Sequence, residues 1–541
     1  MAKAKTKTSF KTATKSAKAP RSKPAPPPGV TVRMYCQGLG DCFLLSFPPA
    51  SGTKRIYVLI DCGVFQQSPG ESDKLRQVVQ SIRDVTDGSI DLLIVTHEHW
   101  DHISGFSHAN DLFSEPGFEI KNVWMSWIEN PDDPDARVVK AALGQQRMVV
   151  GKALEKARLQ LDRSLKANGD DQNALRLNDD VVSAESVLGF FGPRDGSIEE
   201  TKAKTKKPAK PADKTMDLGA TMNWLRTKVR PGNFCSPGEC RPLPGTEGIQ
   251  VYVLGPPRSL SAIRKQNPSK GQSYGLQADR VSILAALDWL DPDKAGAPPG
   301  PFGDHHRLSP EDARLDPYFL ENYGFPDDPL GDAGPAWRRI DDEWLGGFSR
   351  LALQLDTGVN NTSLALAFEL PNGQTLIFPG DAQIGNWLSW STVTFRDRAG
   401  KSLDVTTQQL LNRAVLYKVG HHGSHNATLK PGGLEAMTGS DLVAMIPTDE
   451  AFAKTKRPPR DGWKMPKAEL NEALMAFTHH RILRADQGEA DLDAQRPPDS
   501  PFWNDFRARV RFADEMFTPD PKDPGPARPL YIEYTIQIED F

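Results

Sequence analysis

Short apolar runs that end on polar residues recur along the chain. "GVTVRMYCQGLGDCFLLSFP" (29–48) predicts a strand, a Gly-rich turn and a second strand. "KRIYVLIDCG" (54–63) predicts a third, apolar until Asp61, and "IDLLIVTHEHWDH" (90–102) repeats that design. Strands of this kind build sites at their carboxyl ends, where polar side chains leave the core. Residues 135–190 are rich in helix formers and poor in breakers, which predicts helix. Strand character returns at "GIQVYVLGPP" (248–257), at "NTSLALAFEL" and "GQTLIFPGD" joined through "PNG" as a hairpin, and at "AVLYKVGHHGSH" and "SDLVAMIPT". The order is strands, a long interruption, then strands. One α/β core built from both ends of the chain is the natural reading.

The 541 residues carry a formal charge of −4, which does not single out a polyanion binder, but the charge is unevenly placed. Residues 1–40 contain no Asp or Glu and many Lys, so 1–29 are expected to be a disordered basic tail. A second Lys-, Pro- and Ala-rich run at 199–217 is expected to be an exposed linker inside an insertion spanning about 110–350. Such a run is a target for a trypsin-like protease. The sequence contains no stretch of eighteen apolar residues and no signal-peptide pattern, which points away from a membrane and to a cytoplasmic protein. Five cysteines fit a reducing compartment. Cys235 and Cys240 lack the second pair of a structural zinc site.

Six of the eleven histidines fall into two clusters, each just past an apolar strand. His97, His99, Asp101 and His102 form H-x-H-x-D-H. A strand end sets His97 and His99 on the same side, and the following turn swings Asp101 and His102 toward a neighbouring point. Two divalent cations can share such a site if other segments add ligands. Asp381 in "LIFPGDAQ" is placed to bridge them, and His421 and His422 in "KVGHHGS" are further ligand candidates. His108, His305, His306, His479 and His480 are read as surface residues, with His305 and His306 retained as groups the insertion could lend to the site.

With "QGLGDCFLLSF", "LIDCG", "THEHWDH", "VLGPP", "NNTSLALAF", "IFPGDAQ", "KVGHHGS" and "RADQG", the chain resembles the metallo-β-lactamase superfamily, in particular its ComEC-like branch. The resemblance covers about 30–106 and 350–490. It implies an αββα sandwich over 30–541 with a two-metal site at one edge. His97 and His99 would hold one metal, Asp101 and His102 the second together with His422, and Asp381 would bridge. His421 would serve substrate binding or proton transfer, and Asp61 would support the metal loop. The histidine that many superfamily members place between the first motif and GD has no equivalent here, and "NNTS" occupies the comparable region. Zinc suits the donors best, and manganese is admissible.

The activity implied is hydrolysis of a phosphodiester by metal-activated water, with DNA the favoured substrate. Lys418 could steady a phosphate, Ser424 and His425 could meet the leaving group, and an exposed Trp100 could stack on a base. Small phosphodiesters, as for phosphorylcholine-esterase-like enzymes, are the alternative substrates, and an inactive nucleic-acid-binding scaffold is the alternative class. Soluble relatives of the ComEC-like kind would fit an antiphage defence effector released by proteolysis.

Overall fold

The computed structural model describes residues 29–167, 172–193, 215–265, 315–319, 348–456, 462–498 and 502–538 apart from 519 and 524. The basic tail to residue 28, most of the Lys-rich run, and His305 and His306 lie outside the described residues.

Two sheets face each other. The first has eight strands in the order Val510–Phe512, Tyr531–Ile536, Val30–Tyr35, Phe43–Phe47, Ile56–Ile60, Leu92–Val95, Val123–Ser126 and Phe234–Cys235. The second has seven, in the order Ile482–Arg484, Val443–Ile446, Ala414–Lys418, Thr375–Phe378, Ala365–Glu369, Gln250–Gly255 and Cys240–Pro242. Aromatic side chains interlock between them, with Phe43 edge-on to Phe378 and Phe47 stacked on Phe368. Helices Glu71–Thr86 and Trp100–His108 bury Val78, Val79, Ile82, Ile103 and Phe106 against the first sheet. Leu410, Leu411, Leu470 and Leu474, from helices Thr407–Asn412 and Ala468–Phe477, join a second core with Ile377 and Tyr417. The result is the α/β fold expected, with helices outside two central sheets.

The chain closes on itself: Tyr531–Ile536 pairs antiparallel with Val30–Tyr35, and Arg33 forms an ion pair with Glu533 across the ladder. The "PNG" hairpin forms as predicted, with Gly373 at φ 81°.

The interruption at about 110–350 is not one continuous insertion. Val123–Ser126 and Phe234–Cys235 extend the first sheet, and Cys240–Pro242 and Gln250–Gly255 extend the second. Gln250–Gly255 is the strand predicted at 248–257; the other three, two to four residues long, are too brief for their apolar patterns to stand out between helices and loops. What the region adds is a helical layer. Helices Pro134–Ala167 and Gln172–Leu188 pack with Phe348–Asn360 through Leu154, Val181, Leu351 and Ala352.

Among the described residues no helix is long and apolar enough to cross a membrane. The five cysteines are free and buried. Cys235 and Cys240 hydrogen-bond to Asn233 and Gln250, and among the described residues neither joins a group able to hold a metal.

Candidate metal centre

In both sheets the parallel strands end at the same edge. Asp61 follows Ile60 and Thr96 follows Val95 in the first sheet; Asp381 follows Phe378, and His421 and His422 follow Lys418 in the second. Each polar group appears where its strand runs out of core, so the two sheet edges converge on one buried cluster.

Asp61 organises the first edge. It adopts φ 55°, and its carboxylate accepts from Thr96 N at 2.8 Å, Thr96 Oγ1 at 2.6 Å and His102 Nδ1 at 2.7 Å. Having donated its proton to Asp61, the Thr96 hydroxyl is left to accept from His97 Nδ1 at 3.1 Å. Both rings are thereby turned with Nε2 inward. Gly63 is required here, because a Cβ on it would lie 2.4 Å from the Asp101 carbonyl carbon.

The second edge is set in the same way. His422 Nδ1 donates to Pro447 O at 2.7 Å, which directs its Nε2 to Asp101 Oδ2 at 2.8 Å. Asp381 Oδ1 accepts from Lys418 Nζ at 3.0 Å and His421 N at 2.9 Å. Its Oδ2 lies 3.1 Å from His102 Nε2 and 3.7 Å from His422 Nε2. His421 is oriented differently. Ser424 Oγ donates to Asn426 and Asn426 to Gln383, whose Nε2 lies 3.0 Å from His421 Nδ1, while Asn360 Nδ2 lies 3.4 Å from His421 Nε2, so amide groups hold the ring from both sides.

Burial pushes His97 well below the usual imidazole range and His99 to about 4, so both rings are neutral with free lone pairs. For His102 burial acts in the same direction, but Asp381, Asp41, Asp101 and Asp61 outweigh it and raise the ring well above that range. Asp381 is the mirror case: burial would raise it, yet Lys418, His102 and His422 hold it well below the carboxylate range.

His97 Nε2, both nitrogens of His99 and Asp101 Oδ1 are buried and make no hydrogen bond, and His102 Nε2 and Asp381 Oδ2 face each other at 3.1 Å. Buried polar atoms are normally paired, and leaving one unpaired costs about 1–3 kcal/mol. A concentration of such imidazole and carboxylate atoms, which offer lone pairs once the histidines give up a proton, matches what a divalent cation needs. Asp41, His102, Asp381 and His422 each place a ligand atom within 4.8 Å of one another.

Asp41 was assigned no role from sequence, although it is the first acidic residue of the chain. Its Oδ2 forms an ion pair with Lys418 Nζ at 2.5 Å, and it approaches His102 and His422 from their Nδ1 sides, at 3.8 and 3.9 Å. Those are the faces turned away from Asp101 and Asp381. Burial lifts the Asp41 carboxyl to about 6 even beside Lys418. Asp356 was missed as well. It projects from helix Phe348–Asn360 with Oδ1 3.9 Å from His99 Nε2, and burial, reinforced by Asp101 and Asp381, raises its carboxyl well above the usual range.

Three expectations change. Lys418 is buried, and its ammonium is engaged by Gly380 O, Asp381 and Asp41, which leaves no donor for a phosphate. Ser424 orients His421 through Asn426 and Gln383 rather than facing the ligand cluster. Trp100 is buried, donates to Glu71 at 2.8 Å, and packs against Gly192 of the inserted layer. Of the histidines read as surface residues, His108 is largely buried and bonded to Glu71 and His479 is exposed; His425, offered as a leaving-group contact, is exposed.

The cluster is roofed by the short turn after helix Gln172–Leu188. Phe191 lies edge-on to His99 with centroids 4.9 Å apart, and Phe190 stacks on Trp463 and meets Phe65 and His421. Gly189 fits against the Phe65 ring, where a Cβ would come within 2.4 Å. Cavities of about 850 and 860 Å³ open elsewhere, one beside Arg33 and Glu533 and one beside Arg258 and Thr394.

Residues 40–196 match the Metallo-beta-lactamase superfamily, so the chain contains a domain of that superfamily. The matched segment carries Asp41, Asp61, the H-x-H-x-D-H residues and the Phe190–Phe191 roof; Asp381 and His422 come from the second sheet, beyond it. No curated protein matches the chain.

Proposed function

We propose that this superfamily hydrolase is a metal-dependent phosphodiesterase of the ComEC-like branch, acting on DNA. The observation that carries the hydrolytic part is the buried cluster of His97, His99, Asp101, His102 and Asp381, in which His97 Nε2, the His99 nitrogens and Asp101 Oδ1 make no hydrogen bond. An inactive scaffold would have little reason to leave them unpaired. His97 and His99 would hold one divalent cation, Asp101, His102 and His422 the other, with Asp381 between them. When bound, the pair lowers the pKa of a water and neutralises charge on the phosphodiester. Zinc suits these donors, and manganese is the second choice.

The protein's own groups supply orientation and a proton. Asp61 and Pro447 O fix the rings of His102 and His422. His421, neutral because burial lowers its pKa to about 3, would exchange a proton with a phosphoryl or leaving oxygen. Lys418 holds Asp381 and Asp41 in place.

DNA is favoured by the Lys-rich runs, whose charge suits a phosphate backbone. A small phosphodiester is the second reading, favoured by the closed roof of Phe190 and Phe191 over His99. For a polymer to enter, that roof has to move, and the Lys-rich run begins about ten residues after it. Cleavage of that run by a trypsin-like protease would free the turn, the form of control suited to a defence effector.

The test compares intact chain, trypsin-nicked chain and Asp101→Ala on plasmid, single-stranded DNA and bis(p-nitrophenyl) phosphate, with zinc or manganese. DNA cleavage that requires Asp101 supports the nuclease. Cleavage of the small ester alone, nicked or not, selects the second reading.

A further inference from the structure

We infer that Asp356 is the third protein ligand of the metal held by His97 and His99. The inference rests on the metal-hydrolase reading above and assigns a residue outside H-x-H-x-D-H, GD and HHGS.

Asp356 stands on helix Phe348–Asn360, whose neighbouring Leu355 and Val359 are buried in the apolar cluster with Phe190 and Phe191. The residue is 5% exposed. Its Oδ2 accepts from Asn360 Nδ2 at 3.1 Å, one helical turn on, which aims the carboxyl along the helix face. Its Oδ1 makes no hydrogen bond and lies 3.9 Å from His99 Nε2, which makes none either. No Lys or Arg forms an ion pair with it among the described residues. A neutral carboxyl would still need an acceptor for its proton, and a charged one needs a cation. A metal shared with His99 meets the second need and uses the unpaired lone pairs of both residues.

Charge balance points the same way. Asp41, Asp61, Asp101, Asp356 and Asp381 are five buried carboxylates, and Lys418 is the one buried ammonium among them. The remaining four negative charges equal the charge of two divalent cations, with the histidines neutral.

The experiment measures zinc bound per full-length chain by equilibrium dialysis and elemental analysis for wild type, Asp356→Asn, Asp356→Glu and Asp101→Ala. Unfolding of the metal-free proteins is followed in parallel. Wild type is expected to bind two zinc ions. Asp356→Asn should bind one of them about 100-fold more weakly or worse, Asp356→Glu should recover much of that loss, and metal-free Asp356→Asn should be at least as stable as wild type because an unpaired carboxylate is gone. Two zinc ions of unchanged affinity in Asp356→Asn would overturn the assignment and leave the hydrolase reading intact. Equal loss in the Asn and Glu variants with lowered metal-free stability would overturn it in favour of a packing role. No zinc bound by wild type would instead overturn the metal-hydrolase reading on which it rests.

Discussion

His422 Nε2 lies 2.8 Å from Asp101 Oδ2, although the two residues are 321 positions apart. That contact joins the carboxyl edges of the two sheets and separates the roles of the adjacent histidines. His422→Ala is expected to lose one bound metal and nearly all turnover. His421→Ala should keep its metal content while kcat falls by about 10²–10⁴. Metal analysis beside steady-state kinetics distinguishes the two, and equal metal loss in both variants would refute the division.

Lys418 shows how far the cluster depends on compensation. Its ammonium pairs with Asp41 and Asp381 and is buried with them. Lys418→Met leaves two buried carboxylates short of a partner and should lower stability by about 3–5 kcal/mol. Urea unfolding of the metal-free chain measures this. Added zinc should restore part of the loss, because the cation replaces some of the missing charge.

The aromatic roof predicts a barrier to exchange. Phe190 is buried among Phe65, Trp463 and His421, so Phe190→Ala should cost about 3–5 kcal/mol. Metal should leave this variant faster than wild type in the presence of a chelator. An unchanged extraction rate would show that the roof does not control access.

Lys140 on helix Pro134–Ala167 ties the inserted layer to the metal loop, forming ion pairs with Glu98 at 2.6 Å and Glu129 at 2.5 Å. Burial raises the Glu98 carboxyl, but Lys140, with help from Arg226 and Arg147, outweighs it and brings the value to about 2. The folded pKa is depressed, so this contribution is complete above the ordinary carboxylate range near 4.5 and is lost as pH falls toward 2. Lys140→Met should lower stability by about 2 kcal/mol at neutral pH. The gap from wild type should close as the solution is acidified through that window, as followed by denaturant midpoints.

The metal-binding stretches were legible because each follows an apolar strand. A run such as "LLIV" or "TLIF" must lie in the core, and the next residues must leave it, so Asp61, His97 and Asp381 could be placed at a sheet edge from pattern alone. The helices at 134–188 were legible for the same local reason. Asp41, Asp356 and the roof were not, since each acts through a neighbour far away in the chain. Asp356 is an isolated acidic residue in a helical pattern until packing brings it to His99. Lys418 and Trp100 looked available for substrate because spacing says nothing of depth; the converging second edge buries Lys418, and the inserted layer covers Trp100. Local alternation of apolar and polar residues thus specifies which groups leave the core. Only the meeting of the two sheet edges under the helical layer decides which of those groups touch, which are sealed from water, and which are consumed in compensating one another's charge.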